Sequence, residues 1–146
     1  MDDGPRVCSV ARTLEVVGDR WALLVVREAI LGDHRFDEMQ RRTGAPRDIL
    51  AARLKKLVAT GVLERRLYQE RPPRYEYHLT EAGRDLHTVI TALRQWGDKH
   101  VTSEGPRPSR FVHECGGADP ARLVCPDCGE PIVAGSYRRE AAARTP

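Results

Sequence analysis

One stretch, "APRDILAARLKKLVATGVLERR" from Ala45 to Arg66, limits the architecture more than any other. Leu50, Leu54, Leu57 and Val58 recur at helical spacing and form one apolar stripe. Asp48, Ala52, Lys55, Lys56 and Ala59 project broadly opposite. Pro46 fits the first helical position, where a missing N–H costs nothing, and Gly61 suits the end. Beyond that glycine, charged and apolar residues alternate as in a half-buried strand. The fold must therefore seat this helix on a core by one side and turn small and cationic side chains outward on the other.

The flanking sequence supplies the frame. Val7, Val10, Leu14 and Val17 predict a short amphipathic helix up to Gly18. "DRWALLVVREAILG" predicts a central buried helix, capped by Asp19 and ended by Gly32, because apolar residues almost encircle it. "RFDEMQRRTG" predicts a short third helix with Phe36 and Met39 inward and Gly44 at its end. "VLERRLYQ" and "RYEYHLT" flank "ERPP" and predict an antiparallel hairpin with a proline-stiffened, arginine-flanked tip. In its second strand Tyr75, Tyr77 and Leu79 share one face, and Arg74, Glu76 and His78 the other. Thr80 then caps a long helix striped with Leu86, Val89, Ile90, Leu93 and Trp96. Helices, a hairpin and a closing helix give a mainly α, α+β class: a winged helix-turn-helix over residues 1–101. A linker at 102–110, a Cys-rich tail at 111–136 and a terminal extension at 137–146 complete the expected organisation.

A formal net charge of +3 hides a strong local bias. Residues 41–74 hold ten basic residues against three acidic ones, a balance of +7, which leaves −4 for the remainder. That concentration suits a polyanion, because each neutralised phosphate releases a condensed counterion. In a helix-turn-helix the second helix enters the major groove of duplex DNA. A small residue such as Ala52 then permits close approach. Arg47, Arg53, Lys55 and Lys56 reach flanking phosphates, and Asp48 shares the outward side. Arg35 opens the third helix and Arg41 and Arg42 end it, beside the sugar–phosphate backbone. Arg71 and Arg74, either side of Pro72 and Pro73, are placed for a neighbouring minor groove or phosphates. His34, beside the third helix, is placed for a phosphate, and His78, His87 and His100 are expected as scattered surface residues.

A hydrophobic share of 40% with 31% charged residues marks a folded chain, and no apolar run is long enough to cross a bilayer. The acidic "MDDGPR" start lacks the features of a secretion signal, so a cytoplasmic location is expected.

In the order "GDRW", "RF", "RLKKL", "GVLERR", "PPRYEYHLT" and "EAGRDL", the region from Cys8 to Val101 resembles the HxlR-type bacterial winged-helix transcription regulators. "GAPRDIL" departs from the Gly-Ile-Ser-type lead that often precedes the recognition helix there, which bears on operator sequence. The resemblance implies a homodimer on a palindromic operator, commonly acting as a repressor. Its first and last helices would join through Val7, Val10, Leu14, Leu86, Val89, Ile90, Leu93 and Trp96. It also implies a candidate redox sensor at Cys8, which has Arg6 and Arg12 close in sequence and so a setting that favours a thiolate. A small buried hydrophobe is the other reading of that cysteine. An oxidant or small-molecule effector follows from the same resemblance.

The tail carries "CPDCG", a C-x-x-C knuckle, with Cys115 ten residues upstream and His113 as a fourth candidate ligand. Cys125, Cys128, Cys115 and His113 match the donor set of a closed, structural zinc site. Reduced free cysteines, or a redox pair of Cys125 and Cys128, are the alternatives. For the whole chain the competing functions are a winged-helix protein-interaction module and a thiol oxidoreductase using Cys125 and Cys128.

Overall fold

A computed structural model describes residues 8–101, 111–117 and 121–137. Arg6, Val7, the 102–110 linker and residues 138–146 lie outside them. The elements run α1 (Ser9–Val17), α2 (Arg20–Leu31), α3 (Phe36–Thr43), α4 (Arg47–Ala59), β1 (Leu63–Gln69), β2 (Arg74–Leu79) and α5 (Glu81–His100). This is the expected winged helix-turn-helix.

α2 is the centre of the core. Asp19 Oδ1 accepts the amides of Trp21 and Ala22, both at 3.0 Å, satisfying two of the orphan donors at the helix start. Gly32 stops the helix at φ 97°, a left-handed conformation that glycine adopts freely. Between these caps Ala22, Val25 and Val26 are fully buried, and the helix packs against α1, α3, α4 and β2. The first contact of α4 with that core is its leucine stripe: Leu50, Leu54 and Leu57 are all buried, with Val58 half-buried beside them. Each such leucine stabilises the fold by roughly 2 kcal/mol.

β1 and β2 pair antiparallel, Leu63 opposite Leu79, Arg65 opposite Tyr77 and Leu67 opposite Tyr75, with a register shift between Leu67 and Gln69 near the tip. The backbone before α3 joins as well, through a bridge between Arg35 and Glu76. That added pairing corrects the expected exposure of the charged face of β2. Glu76 and His78 are half-buried because the start of the helix-turn-helix covers them. At the other end, Thr80 Oγ1 accepts the Gly83 amide at 3.1 Å and donates to the Gly61 carbonyl at 2.6 Å. Gly83 sits so close to the Val62 carbonyl that a β-carbon would collide with it. The wing and the last helix are thus stapled together.

Leu86 and Ile90 of α5 pack against the core, whereas Val89, Leu93 and Trp96 are 40%, 49% and 62% exposed. On α1, Val10 and Leu14 are exposed too. An open cleft of about 270 Å³ runs beside these helices, lined by Arg12, Thr13, Val16, Val62, Ala82 and Leu86 among others. The chain divides into two compact units between Leu93 and Arg94, inside α5. Among the described residues no helix is long and apolar enough to cross a membrane.

Burial alone would raise the Asp19 carboxyl pKa, but the Ala22 amide, the Arg53 guanidinium and the Trp21 amide outweigh it and hold the group below its ordinary 3.8. The associated stability is complete above the ordinary value and is lost as pH falls through the lower folded one. Asp19→Ala is expected to cost about 1 kcal/mol at neutral pH. The difference from wild type should shrink on acidification below pH 4, measured by denaturant midpoints across that range.

Candidate nucleic-acid interface

Two short helices and a three-residue turn build the site. Glu38 Oε2 accepts the Arg35 amide at 3.1 Å at the start of α3, and Gly44 ends it at φ 72°. Ala45 is buried in the turn, its amide donating to Thr43 Oγ1 at 3.2 Å. Pro46 then precedes the first helical residue, Arg47, rather than opening the helix itself, and its carbonyl accepts the Leu50 amide at 2.9 Å. With its leucines on the core, α4 turns Arg47, Asp48, Ala51, Ala52, Lys55 and Ala59 to solvent. The alanines keep that face low. Nothing on it obstructs a groove.

The cations divide into three groups. Arg41, Lys55, Arg71 and Arg74 are exposed, and their side chains have no ion-pair partner among the described residues. Arg42, Arg47 and Arg35 are exposed but paired: Arg42 with Asp33 at 3.5 Å, Arg47 with Asp37 at 3.2 Å, and Arg35 with Glu76 at 3.0 Å. Such surface pairs are worth little, so a phosphate competes for these arginines at small cost. Arg47 also lies over the Phe36 ring, and Arg35 over Tyr68.

Arg53 and Lys56 form the third group and point inward along the flanks. Arg53 Nε stands 2.9 Å from Asp19 Oδ1, although its N–H is not aligned on any acceptor. Lys56 Nζ donates to the Glu15 carbonyl at 2.5 Å, at the C-terminal end of α1 where carbonyls lack helical partners. In this structure the two residues brace α4 against α1 and α2.

Sequence reasoning missed a cluster behind the wing. The His34 and His78 rings stack with centroids 4.2 Å apart, and Glu76 binds both His78 Nε2, at 3.1 Å, and Arg35. His34 also exchanges backbone contacts with Tyr77. The hydrogen bond from His78 first, then that from Arg35, holds the Glu76 carboxyl below its ordinary range. These two histidines are therefore neither scattered nor fully on the surface. The only signal in the sequence was the Arg35-to-Glu76 pairing across 41 residues, which no local pattern announces. At the wing tip, Gln69 Nε2 donates to the carbonyls of Arg71 and Pro72, at 3.3 and 3.1 Å. Arg71 and Arg74 thereby stand on a braced turn.

Cys8 is half-buried just ahead of α1, its carbonyl accepting the Arg12 amide at 3.1 Å. In the tail, His113 Nδ1 lies 3.1 Å from Cys115 Sγ. The amides of Cys128 and Asp127, and then the Cys128 thiol, hold the Cys125 thiol below its ordinary 9.0. Among the described residues, no three His, Cys, Asp or Glu side chains surround one point.

The HxlR-like helix-turn-helix pattern matches residues 16–105, well over half the chain. The protein belongs to the HxlR-like helix-turn-helix family. It is 48% identical over 127 residues to an uncharacterised HTH-type transcriptional regulator of Mycobacterium tuberculosis, Rv3095, a match spanning 86% of this chain and 80% of that one. A crystal structure of PA1607, described as a candidate transcription factor, superposes with a TM-score of 0.80 at 38% identity over 92% of this chain and 94% of that one. The redox regulator HypR in its oxidised form matches 64% of this chain and 97% of its own, at 34% identity and a TM-score of 0.59. This HxlR-like chain is a DNA-binding transcription regulator and not an enzyme, which removes the thiol oxidoreductase reading.

Proposed function

We propose that this HxlR-like regulator acts in the cytoplasm as a homodimeric repressor on a palindromic operator, releasing DNA in response to an oxidant or a small ligand. The observation that carries the DNA contact is the low, alanine-bearing face of α4, with Lys55 free at its middle and leucines anchoring the opposite side. In this reading α4 enters the major groove, Asp48 and Ala52 face base edges, and Lys55, Arg47 and Arg41 hold phosphates. Arg71 and Arg74 at the wing tip meet the backbone or minor groove alongside. Arg53 and Lys56 support the complex chiefly by fixing the pose of α4.

Lys55→Ala should weaken operator binding and make the slope of log affinity against log salt shallower by about 0.9. Lys56→Ala should lower thermal stability more than it lowers that slope. Fluorescence anisotropy across a salt series, with thermal melts of both variants, measures each. An unchanged slope for Lys55→Ala would remove α4 as the phosphate-contacting helix.

For the dimer, the support is the apolar surface that one chain leaves bare: Val10 and Leu14 on α1, and Val89, Leu93 and Trp96 on α5. Exposed apolar residues at helical spacing on two elements are the usual mark of an association surface. Two copies joined there give a twofold assembly, which explains why a palindrome would be its target. Leu93→Glu is expected to shift the protein from dimer to monomer in sedimentation at micromolar concentration, with the far-ultraviolet helical signal retained.

For the signal, the support is Cys8 beside α1, where a change of thiol state lies next to the proposed dimer helices, together with the likeness to a redox regulator. The cleft lined by Arg12, Val16 and Leu86 favours a small ligand as the second reading. Mild peroxide treatment should release the operator from wild type and leave Cys8→Ser bound; release that persists in the variant assigns the signal elsewhere.

A further inference from the structure

The cysteine-bearing tail is unused by the DNA-binding reading, and its described residues pose a physical problem. None of residues 111–117 or 121–137 is buried, and only Cys125 and Ile132 are even half-buried. Phe111, Val112, Leu123, Val124, Val133 and Tyr137 all lie exposed. A segment this short, without a core, needs a disulfide or a metal to hold its shape.

Its backbone is nevertheless tightly turned in two places, and the turns share a design. In the first, the Gly116 amide donates to the His113 carbonyl and the His113 amide to the Gly117 carbonyl, both at 2.8 Å. In the second, the Gly129 amide donates to the Cys125 carbonyl at 2.8 Å and the Cys125 amide to the Glu130 carbonyl at 2.9 Å, beside a bridge between Val124 and Pro131. Each turn opens with one ligating residue and carries a cysteine followed by a left-handed glycine: Cys115 then Gly116 at φ 84°, Cys128 then Gly129 at φ 74°. Each also brings its two donors together. His113 Nδ1 stands 3.1 Å from Cys115 Sγ, and the Cys115 amide donates to that same nitrogen at 3.3 Å, which places the lone pair of the neutral ring on the thiol side. All three tail cysteines are free. A disulfide would use only two of them and leave His113 with no part.

We propose that His113, Cys115, Cys125 and Cys128 bind one structural Zn²⁺, with the two turns as preformed halves of a tetrahedral site. Three sulfurs and an imidazole are a soft donor set that selects zinc over calcium or magnesium, and four protein ligands leave no open position for catalysis. On binding, each of the three thiols loses its proton to solvent and the neutral imidazole gives its Nδ1 lone pair. Zn²⁺ with three thiolates then carries one net negative charge. The ion draws the two halves onto one centre, so metal binding and the folding of the tail are a single event.

The full chain, purified under reducing conditions without chelator and dialysed against dilute zinc, should hold one zinc per chain by elemental mass spectrometry. A thiol-specific mercurial should release it to a metallochromic dye. Cys125→Ser and Cys128→Ser should lose the metal while the helical circular dichroism of the winged-helix unit stays unchanged, and Cys8→Ser should keep it. His113→Ala should weaken retention against a competing chelator by at least about tenfold. Absence of stoichiometric zinc from the reduced wild-type chain would overturn the proposal, as would full retention in the Cys125→Ser/Cys128→Ser double variant. An unchanged affinity in His113→Ala would overturn the four-ligand site. None of these readouts depends on operator binding, so the outcome stands apart from the DNA-binding proposal.

Discussion

Everything this regulator can do with DNA depends on how α4 is seated. Three leucines hold one side of the helix on α2, and the other side has to remain clear of the protein itself. A helix anchored only by an apolar stripe can still roll about its axis, because leucines slide against valines at little cost. Arg53 on Asp19 and Lys56 on the end of α1 oppose that roll from the flanks. Asp19 serves twice, as the cap of α2 and as the anchor for Arg53, so the start of the central helix and the pose of α4 are set by the same carboxylate.

That arrangement resolves the excess of positive charge around one short helix. A charge tally treats ten basic residues as ten phosphate contacts, but the structure divides the labour. Cations that are half-buried and pinned make poor phosphate ligands, since moving them exposes an orphan carbonyl or an unpaired carboxylate. Cations in exposed pairs exchange one anion for another at small net cost. Only the unpaired exposed ones gain the full electrostatic benefit of an approaching duplex. Local density thus marks the right surface while overstating how many residues on it are available.

The same distinction explains what the sequence made legible. Helix limits followed from Asp19, Gly32, Gly44, Gly61 and Thr80, because caps and left-handed turns act within a few residues and leave a local trace. The leucine stripe followed from period alone. Lys56 was misjudged as an outward residue because a helical projection gives direction but not neighbours. It lies near the boundary between faces, and the end of α1 happens to reach it. The His34–His78 stack and the Glu76 pairings were invisible for a related reason: alternation along β2 assumes one face open to water, and the third segment that covers it contributes only a single bridge at Arg35.

That bridge ties the wing to the helix-turn-helix at one point, and the chemistry there is graded. Glu76 is shared between His78, buried behind the sheet, and Arg35, on the edge where a phosphate would arrive. With its carboxyl held below the ordinary range, Glu76 stays ionised at any pH at which the protein works, so Arg35 is never without an anion. An incoming phosphate therefore competes for Arg35 rather than filling a vacancy. If Arg35 leaves, Glu76 keeps His78 as a partner, and the histidine stack and the Tyr77 backbone contacts still hold the wing in register. The wing can yield one arginine to DNA without losing its own orientation, provided that the attachment rests on more than the ion pair, and the backbone bridge and stacked rings meet that condition.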